Sequence, residues 1–266
     1  MDTDKNIQAL IKTLSRGLMQ SNYSIAFEGY KGLYAYGQEV IPVLRELLLS
    51  IDWSKSKYKE LSKYLAGIFS LIHDIDETQA DSIQKALNEN GCPKHIIALI
   101  NSKKGFSTKN YTKYKSNGVE VFEHNRIKKK CDIRKYIDAW LKNIPDKDLN
   151  EISRLYIVSH KDVEGGNAGT YTPGLFKIAL GWDNPYKENT FLFKISALMT
   201  EKVLYHEIGH HAYRHNSSQH TSDKEKEADR YAYKIMRQNH NILHLFTRFL
   251  NKIGFKNQRN YYRWGL

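Results

Sequence analysis

The densest group of chemically versatile side chains in the 266 residues is LYHEIGHHAYRH, which contains His206-Glu207-Ile208-Gly209-His210. Residues four apart on a helix share a face, so the two imidazoles of an H-E-x-x-H pattern can reach one metal ion. Glu207, one step on, projects to the side of that face, where it can touch a water on the metal. Zinc takes nitrogen, sulfur and oxygen donors in a tetrahedral array, and a catalytic site leaves one position for water. The pKa of such a water falls to about 7, and an adjacent carboxylate can take its proton. Val203 and Leu204 before the pattern, and Ile208 and Ala212 on it, offer apolar or small packing positions. The bland alternative is a helix that happens to carry two surface histidines.

A two-histidine site needs a third protein ligand. Lys224–Ile235 reads KEKEADRYAYKI, in which Glu225, Ala228, Asp229 and Ala232 fall at i, i+3, i+4 and i+7, one helical stripe. Glu225 is therefore the expected third ligand, and Ala228 and Ala232 let this helix approach the first one closely. Asp229, one turn further on, is expected to hydrogen-bond a ligand imidazole and fix its tautomer. Glu227 points roughly 200° away from Glu225 on a helix of about 3.6 residues per turn, toward solvent. Glu225 has a second possible role, because Ser222-Asp223-Lys224-Glu225 also matches a capping box.

The elements that must position these residues follow from pattern and punctuation. Phe191–His215 contains no proline and reads as one long helix, and Lys224–Gln238 as the next. Before them, Ile133-Tyr136-Ile137-Trp140-Leu141 is helical in spacing and stops at Pro145, RLYIVS (154–159) reads as a strand, GGNAGTY as a glycine-rich turn, and LFKIALGW (175–182) as a second strand. Strands before a helix pair predict a small α+β domain over residues 133–266.

Residues 5–100 read instead as helices separated by short polar breaks. Ile7-Ala9-Leu10-Ile11-Leu14 and Val40-Ile41-Val43-Leu44-Leu47-Leu48 keep helical spacing, Pro42 suits a first turn, and Asp76 and Thr78 are available as caps. The segment AFEGYKGLYAYGQEVIPVLRELL resembles a HEAT-like helical hairpin, with a weaker second copy in KYLAGIFSLIHDIDETQADSIQKAL; an ordinary helical bundle is the alternative. Residues 1–100 show no cluster of catalytic residue types, so a packing or partner-binding role is expected. From Asn101 to Asn117 the sequence turns polar, basic and nearly free of aliphatics, and residues 101–132 are expected to be a basic linker or exposed loop. The fold class expected is mainly α with a small sheet: a helical HEAT-like domain (1–100), then the linker (101–132), then the α+β domain (133–266).

Composition bounds the classes. With 41% hydrophobic, 12% aromatic and 26% charged residues, 5 Pro and 16 Gly, the chain is not disordered, collagen-like or low in complexity. No apolar run approaches the length of a spanning helix, and MDTDKNIQALIKTL lacks the basic start of a signal peptide. Two cysteines, Cys92 and Cys131, fit a reducing compartment, so a cytoplasmic location is expected. Formal net charge is +12, distributed as −1 over residues 1–100, +6 over 101–132 and +7 over 133–266. Such an excess suits an acidic partner or nucleic acid, or is simply a lysine-rich solvated surface. No zinc-finger spacing, RNA-recognition signature or basic zipper accompanies it, so no nucleic-acid partner is expected.

With H-E-x-x-H and a downstream glutamate helix in hand, the sequence resembles a zincin metallopeptidase of the gluzincin type. HEIGHHAYRH followed by EKEADRYAYKIM resembles the ImmA/IrrE peptidases most, whose second motif has the form E-x-x-A-x-x-[FY]-A; Tyr231-Ala232 fit that ending. HtpX-like membrane peptidases share E-x-x-A-D but carry transmembrane helices. The resemblance covers about residues 133–238. It implies a zinc-dependent endopeptidase with Zn2+ on His206, His210 and Glu225, Glu207 as general base, and a peptide or protein substrate. It further implies that Leu175–Trp182 is the sheet edge over the cleft, and that a Tyr or His opposite Glu207 stabilises the transition state. Tyr205, His211, Tyr213, His215, His220 and Tyr231 are the candidates for that role, although His215 stands too far along the helix axis to be a ligand. The helical domain would recognise a protein partner or present the substrate. The rival from another class is a scaffold or regulatory protein with a structural zinc site and a partner-binding helical domain.

Overall fold

The computed structural model describes residues 2–54, 58–103, 108–128, 131–163, 167–172, 176–182, 184, 186–215 and 222–239. The chain is mainly helical with one small mixed sheet, and it divides into two compact units, Met1–Ser107 and Thr108–Leu266.

The first unit is helical among its described residues: α1 (Asp2–Met19), α2 (Tyr23–Tyr36), α3 (Ile41–Leu49), α4 (Tyr58–Ile75), α5 (Glu77–Glu89) and α6 (Lys94–Lys103). Ile7, Ile11, Leu14 and Leu18 form the buried face of α1, at the three-and-four spacing of an amphipathic helix. Asn22 caps α2 by accepting from the Ile25 amide at 3.3 Å, and Asp76 caps α5 by accepting from Thr78 and Gln79 at 2.9 and 3.0 Å. Those amides, Gln79 foremost, hold the Asp76 carboxyl below the usual carboxylate range.

The α1–α2 pair is closed by glycine. A Cβ on Gly17 would stand 2.2 Å from the Ala26 nitrogen, and one on Gly29 2.5 Å from the Leu14 nitrogen. Both obstacles are backbone, which no rotamer change can move aside. Gly29→Ala is therefore expected to cost about 2–3 kcal/mol. The loss should appear as a lower unfolding midpoint of the helical signal, and an unchanged midpoint would mean that the two helices part freely.

The second unit holds the sheet. Strands β1 (Tyr111–Ser116) and β2 (Val119–His124) form an antiparallel hairpin. The linker expected over residues 101–132 is thus corrected: 111–124 are sheet, and they begin the second unit. The turn is Asn117-Gly118, with φ of 42° and 85°, the left-handed pair that a two-residue hairpin turn requires. Three short helices follow, α7 (Asn125–Lys128), α8 (Arg134–Lys142) and α9 (Asp146–Leu149), then β3 (Arg154–Val158), β4 (Gly169–Thr172) and β5 (Lys177–Gly181), and finally α10 (Phe191–Ala212) and α11 (Ser222–Asn239).

Strand order is β1-β2-β3-β5-β4. The middle strands β2, β3 and β5 are parallel, with Val121 opposite Leu155 and Leu155 opposite Ile178. The two outer strands are antiparallel to their neighbours, and Tyr171 pairs with Ile178. Val121, Leu155, Ile157, Ile178 and Leu180 pack with Ile137, Trp140 and Leu141 of α8, with Phe193, Leu204 and Ile208 of α10, and with Ile235 and Met236 of α11. This core clamps α10 against the sheet. Thr190 caps α10 by accepting from the Phe193 amide. Among the described residues no helix is long and apolar enough to cross a membrane.

Candidate metal centre on helices α10 and α11

Helix α10 presents His206 and His210 one turn apart, and α11 brings Glu225 to them. Their Nε2 atoms stand 3.0 Å apart, and the Glu225 carboxylate oxygens lie 3.4 Å from His206 Nε2 and 3.7 Å from His210 Nε2. Among the described residues this is the group of His, Cys, Asp and Glu side chains whose donor atoms converge closely enough to hold a metal ion. The close helix approach depends on small residues. Ala228 and Ala232 are fully buried, and a Cβ on Gly209 would stand 2.9 Å from the Ala228 Cα. Glu225 lies near the start of α11, yet its carboxylate faces the imidazoles.

Each imidazole is held from behind through its Nδ1. His206 Nδ1 is 3.1 Å from Asp229 Oδ1, the partnership expected from the stripe, and Lys202 Nζ lies 3.7 Å from the same oxygen. Burial alone would lower the His206 pKa, but its hydrogen bonds to Asp229 and Glu225 outweigh burial and lift it to about 9. Burial likewise opposes ionisation of Asp229, and the His206 hydrogen bond with the Lys202 charge still brings its pKa below the ordinary value. The back of His210 is taken by a residue that sequence reasoning placed about two turns beyond His206, too far along the axis to be a ligand: His215 Nδ1 is 2.8 Å from His210 Nδ1, and His215 Nε2 is 2.8 Å from Glu227 Oε2. Glu227 is half exposed, as its position on the helix suggests, but its carboxylate is engaged.

Glu207 is 8% exposed, and its Oε2 accepts a hydrogen bond from the Tyr171 backbone N–H at 2.7 Å. Tyr171 belongs to β4, and this corrects the edge strand expected at Leu175–Trp182. Strand β5 lies inside the sheet between β3 and β4, and β4, whose first three residues were read as the end of a glycine-rich turn, forms the edge above α10. Glycine is what permits that approach. A Cβ on Gly169 would stand 2.7 Å from Val203 Cγ1 and 3.0 Å from Glu207 Cγ. The signal that could have found β4 is weak, because four residues with glycine at one end show no usable alternation.

The six Tyr and His candidates separate by what their polar ends already touch. The Tyr205 hydroxyl is buried and donates to Glu201 Oε1 at 2.7 Å, and the Tyr231 hydroxyl donates to Asp148 Oδ2 at 2.8 Å. Burial raises the pKa of both phenols well above the ordinary value. His211 Nε2 donates to the Asn150 carbonyl at 2.8 Å, so Nδ1 accepts from the Tyr171 hydroxyl at 3.0 Å. Burial holds the His211 pKa below the ordinary histidine value, which suits this neutral tautomer. His215 supports His210, Tyr213 is 50% exposed, and His220 lies outside the described residues.

Compared with family models, curated proteins and solved structures, the chain matches none.

Proposed function

We propose that the chain is a zinc-dependent endopeptidase of the zincin type, with Zn2+ on His206, His210 and Glu225. One observation carries the reading: two imidazole nitrogens and a carboxylate from separate helices converge at 3.0, 3.4 and 3.7 Å, with the Glu207 carboxylate on the adjoining residue. Donors about 2.0–2.1 Å from a tetrahedral ion stand roughly 3.4 Å apart, so donor chemistry and spacing both fit zinc. When bound, the ion acts as a Lewis acid that acidifies water and polarises a carbonyl.

The remaining work falls to the chain's own residues. Asp229 accepts from His206 Nδ1, which turns Nε2 toward Glu225. Glu207 acts as general base and afterwards returns the proton to the leaving amine, with one oxygen steadied by Tyr171 N–H. Strand β4 offers an extended substrate a backbone edge to pair with, a mode largely indifferent to side chains. The rival, a closed structural site, needs a fourth protein donor. Among the described residues three converge, and His215 meets the back of His210 instead of the cluster. The helical first unit would recognise a protein partner or present the substrate, as the HEAT-like resemblance suggests. Cys92 and Cys131, both free and buried, suit a reducing cytoplasm.

The test is direct. Protein prepared without chelator should contain about one zinc per chain by elemental analysis. It should cleave unfolded casein and lose that activity on exposure to a chelator. Absence of zinc, with no uptake on addition, would overturn the proposal.

A further inference from the structure

The structure assigns His215 and Glu227 as a relay that holds His210 in one tautomer and one orientation. The assignment rests on the reading of His206, His210 and Glu225 as metal ligands. It deepens that reading by naming what tunes the second histidine.

A left-handed residue sets the geometry. Helix α10 ends at Ala212, and Arg214 adopts φ of +56°. That turn lets the Arg214 amide donate to the His211 carbonyl at 3.0 Å and the His215 amide to the His210 carbonyl at 2.9 Å. This pair of bonds is the Schellman ending of a helix. It folds the chain back so that the His215 ring, instead of continuing along the helix axis, lands on the outer side of His210, with ring centroids 5.1 Å apart. His215 is 8% exposed, so its two nitrogens have little access to water and depend on protein partners.

Reserving His210 Nε2 for the metal sets one direction of donation along the line His210–His215–Glu227. His210 turns Nε2 toward His206 and Glu225, so its Nδ1 carries the hydrogen and donates to His215 Nδ1 at 2.8 Å. His215, accepting at Nδ1, carries its hydrogen on Nε2 and donates to the Glu227 carboxylate at 2.8 Å. Along this line each N–H meets an acceptor, and the line ends on the Glu227 carboxylate. His206 is served directly by the Asp229 carboxylate, whereas His210 receives carboxylate support through a second imidazole. A carboxylate at the end of such a line raises the basicity of the ligand nitrogen and fixes the ring plane. His215 and Glu227 are thus positioning residues that act through His210.

Zinc affinity of the full chain, measured by competition with a chromogenic chelator, tests the relay with zinc alone as the probe. His215→Phe keeps the ring volume but offers no acceptor, and it should weaken zinc binding by about 10–100-fold. Glu227→Ala should weaken it less, and Glu227→Gln, which still accepts from Nε2–H, should recover most of the loss. The unfolding midpoint of the metal-free protein should change little across the three. A midpoint that falls while zinc affinity stays within twofold of wild type would overturn the relay in favour of a merely structural role. Long-range 1H–15N correlation of the metal-free protein gives a second readout that needs no zinc. It should show the Nδ1–H tautomer at His210 and the Nε2–H tautomer at His215, and the opposite assignment overturns the proposal. If the wild-type protein takes up no zinc, the metal reading fails, and the tautomers still decide whether the relay exists.

Discussion

Glu207→Gln is expected to lower the rate of peptide hydrolysis by about 10³-fold or more, within the span a lost general base produces. The amide oxygen of glutamine can still accept from Tyr171 N–H, so the side chain should keep its place, but it cannot take up a proton from water. Zinc content and unfolding midpoint should match those of wild type, because Glu207 belongs to neither the donor cluster nor its supports. Glu225→Gln should behave in the opposite order. It replaces an anionic donor that faces both imidazoles, and zinc affinity should drop by more than the roughly 10–100-fold typical of losing a supporting group. Activity should then return when zinc is supplied in excess. Equal loss of metal in the two variants would show that base and ligand have been assigned wrongly.

The second large effect is expected at a residue with no functional group. Gly169 has φ outside the left-handed region, so alanine is conformationally admissible there, and the obstacle is space alone. Its Cβ would press on Val203 Cγ1 at 2.7 Å and on Glu207 Cγ at 3.0 Å. Either β4 lifts away from α10 or the Glu207 side chain turns, and both moves stretch the 2.7 Å hydrogen bond from Tyr171. Displacements near 1 Å in a catalytic group cost about 10²-fold, and a loss of that order in kcat/KM is expected for Gly169→Ala. Zinc affinity should hold, since no donor of the cluster lies on β4. An alanine variant with full activity would mean that the edge strand does not position Glu207.

Readings based on short-range periodicity could be made from the residues themselves. His206 and His210 share a helix face, and Glu225, Ala228, Asp229 and Ala232 share another, because a turn of helix brings residues three and four apart together whatever surrounds it. The buried face of α1 is legible for the same reason. The β1–β2 hairpin was legible in principle, through Asn117-Gly118 between YTKYKS and VEVFEH. Its lysines and tyrosines face partly outward on an edge strand, so the composition imitates a linker.

Other features depended on partners remote in the chain. Tyr171 meets Glu207 across 36 residues, His211 meets Asn150 across 61, and Tyr231 meets Asp148 across 83. No periodic pattern encodes such pairs, and a tyrosine committed to Asp148 reads in sequence like any of the other 17. Which strand forms the edge was decided by sheet order, where four residues with a glycine outflank a longer and more apolar β5. The reversal at Arg214 was decided by packing too, since arginine carries no signal for a left-handed turn and adopts one at a cost of about 1–2 kcal/mol. Local spacing placed the donors on their helices, while long-range burial and hydrogen bonding determined what stands behind each of them, because those interactions form only once distant segments are packed together.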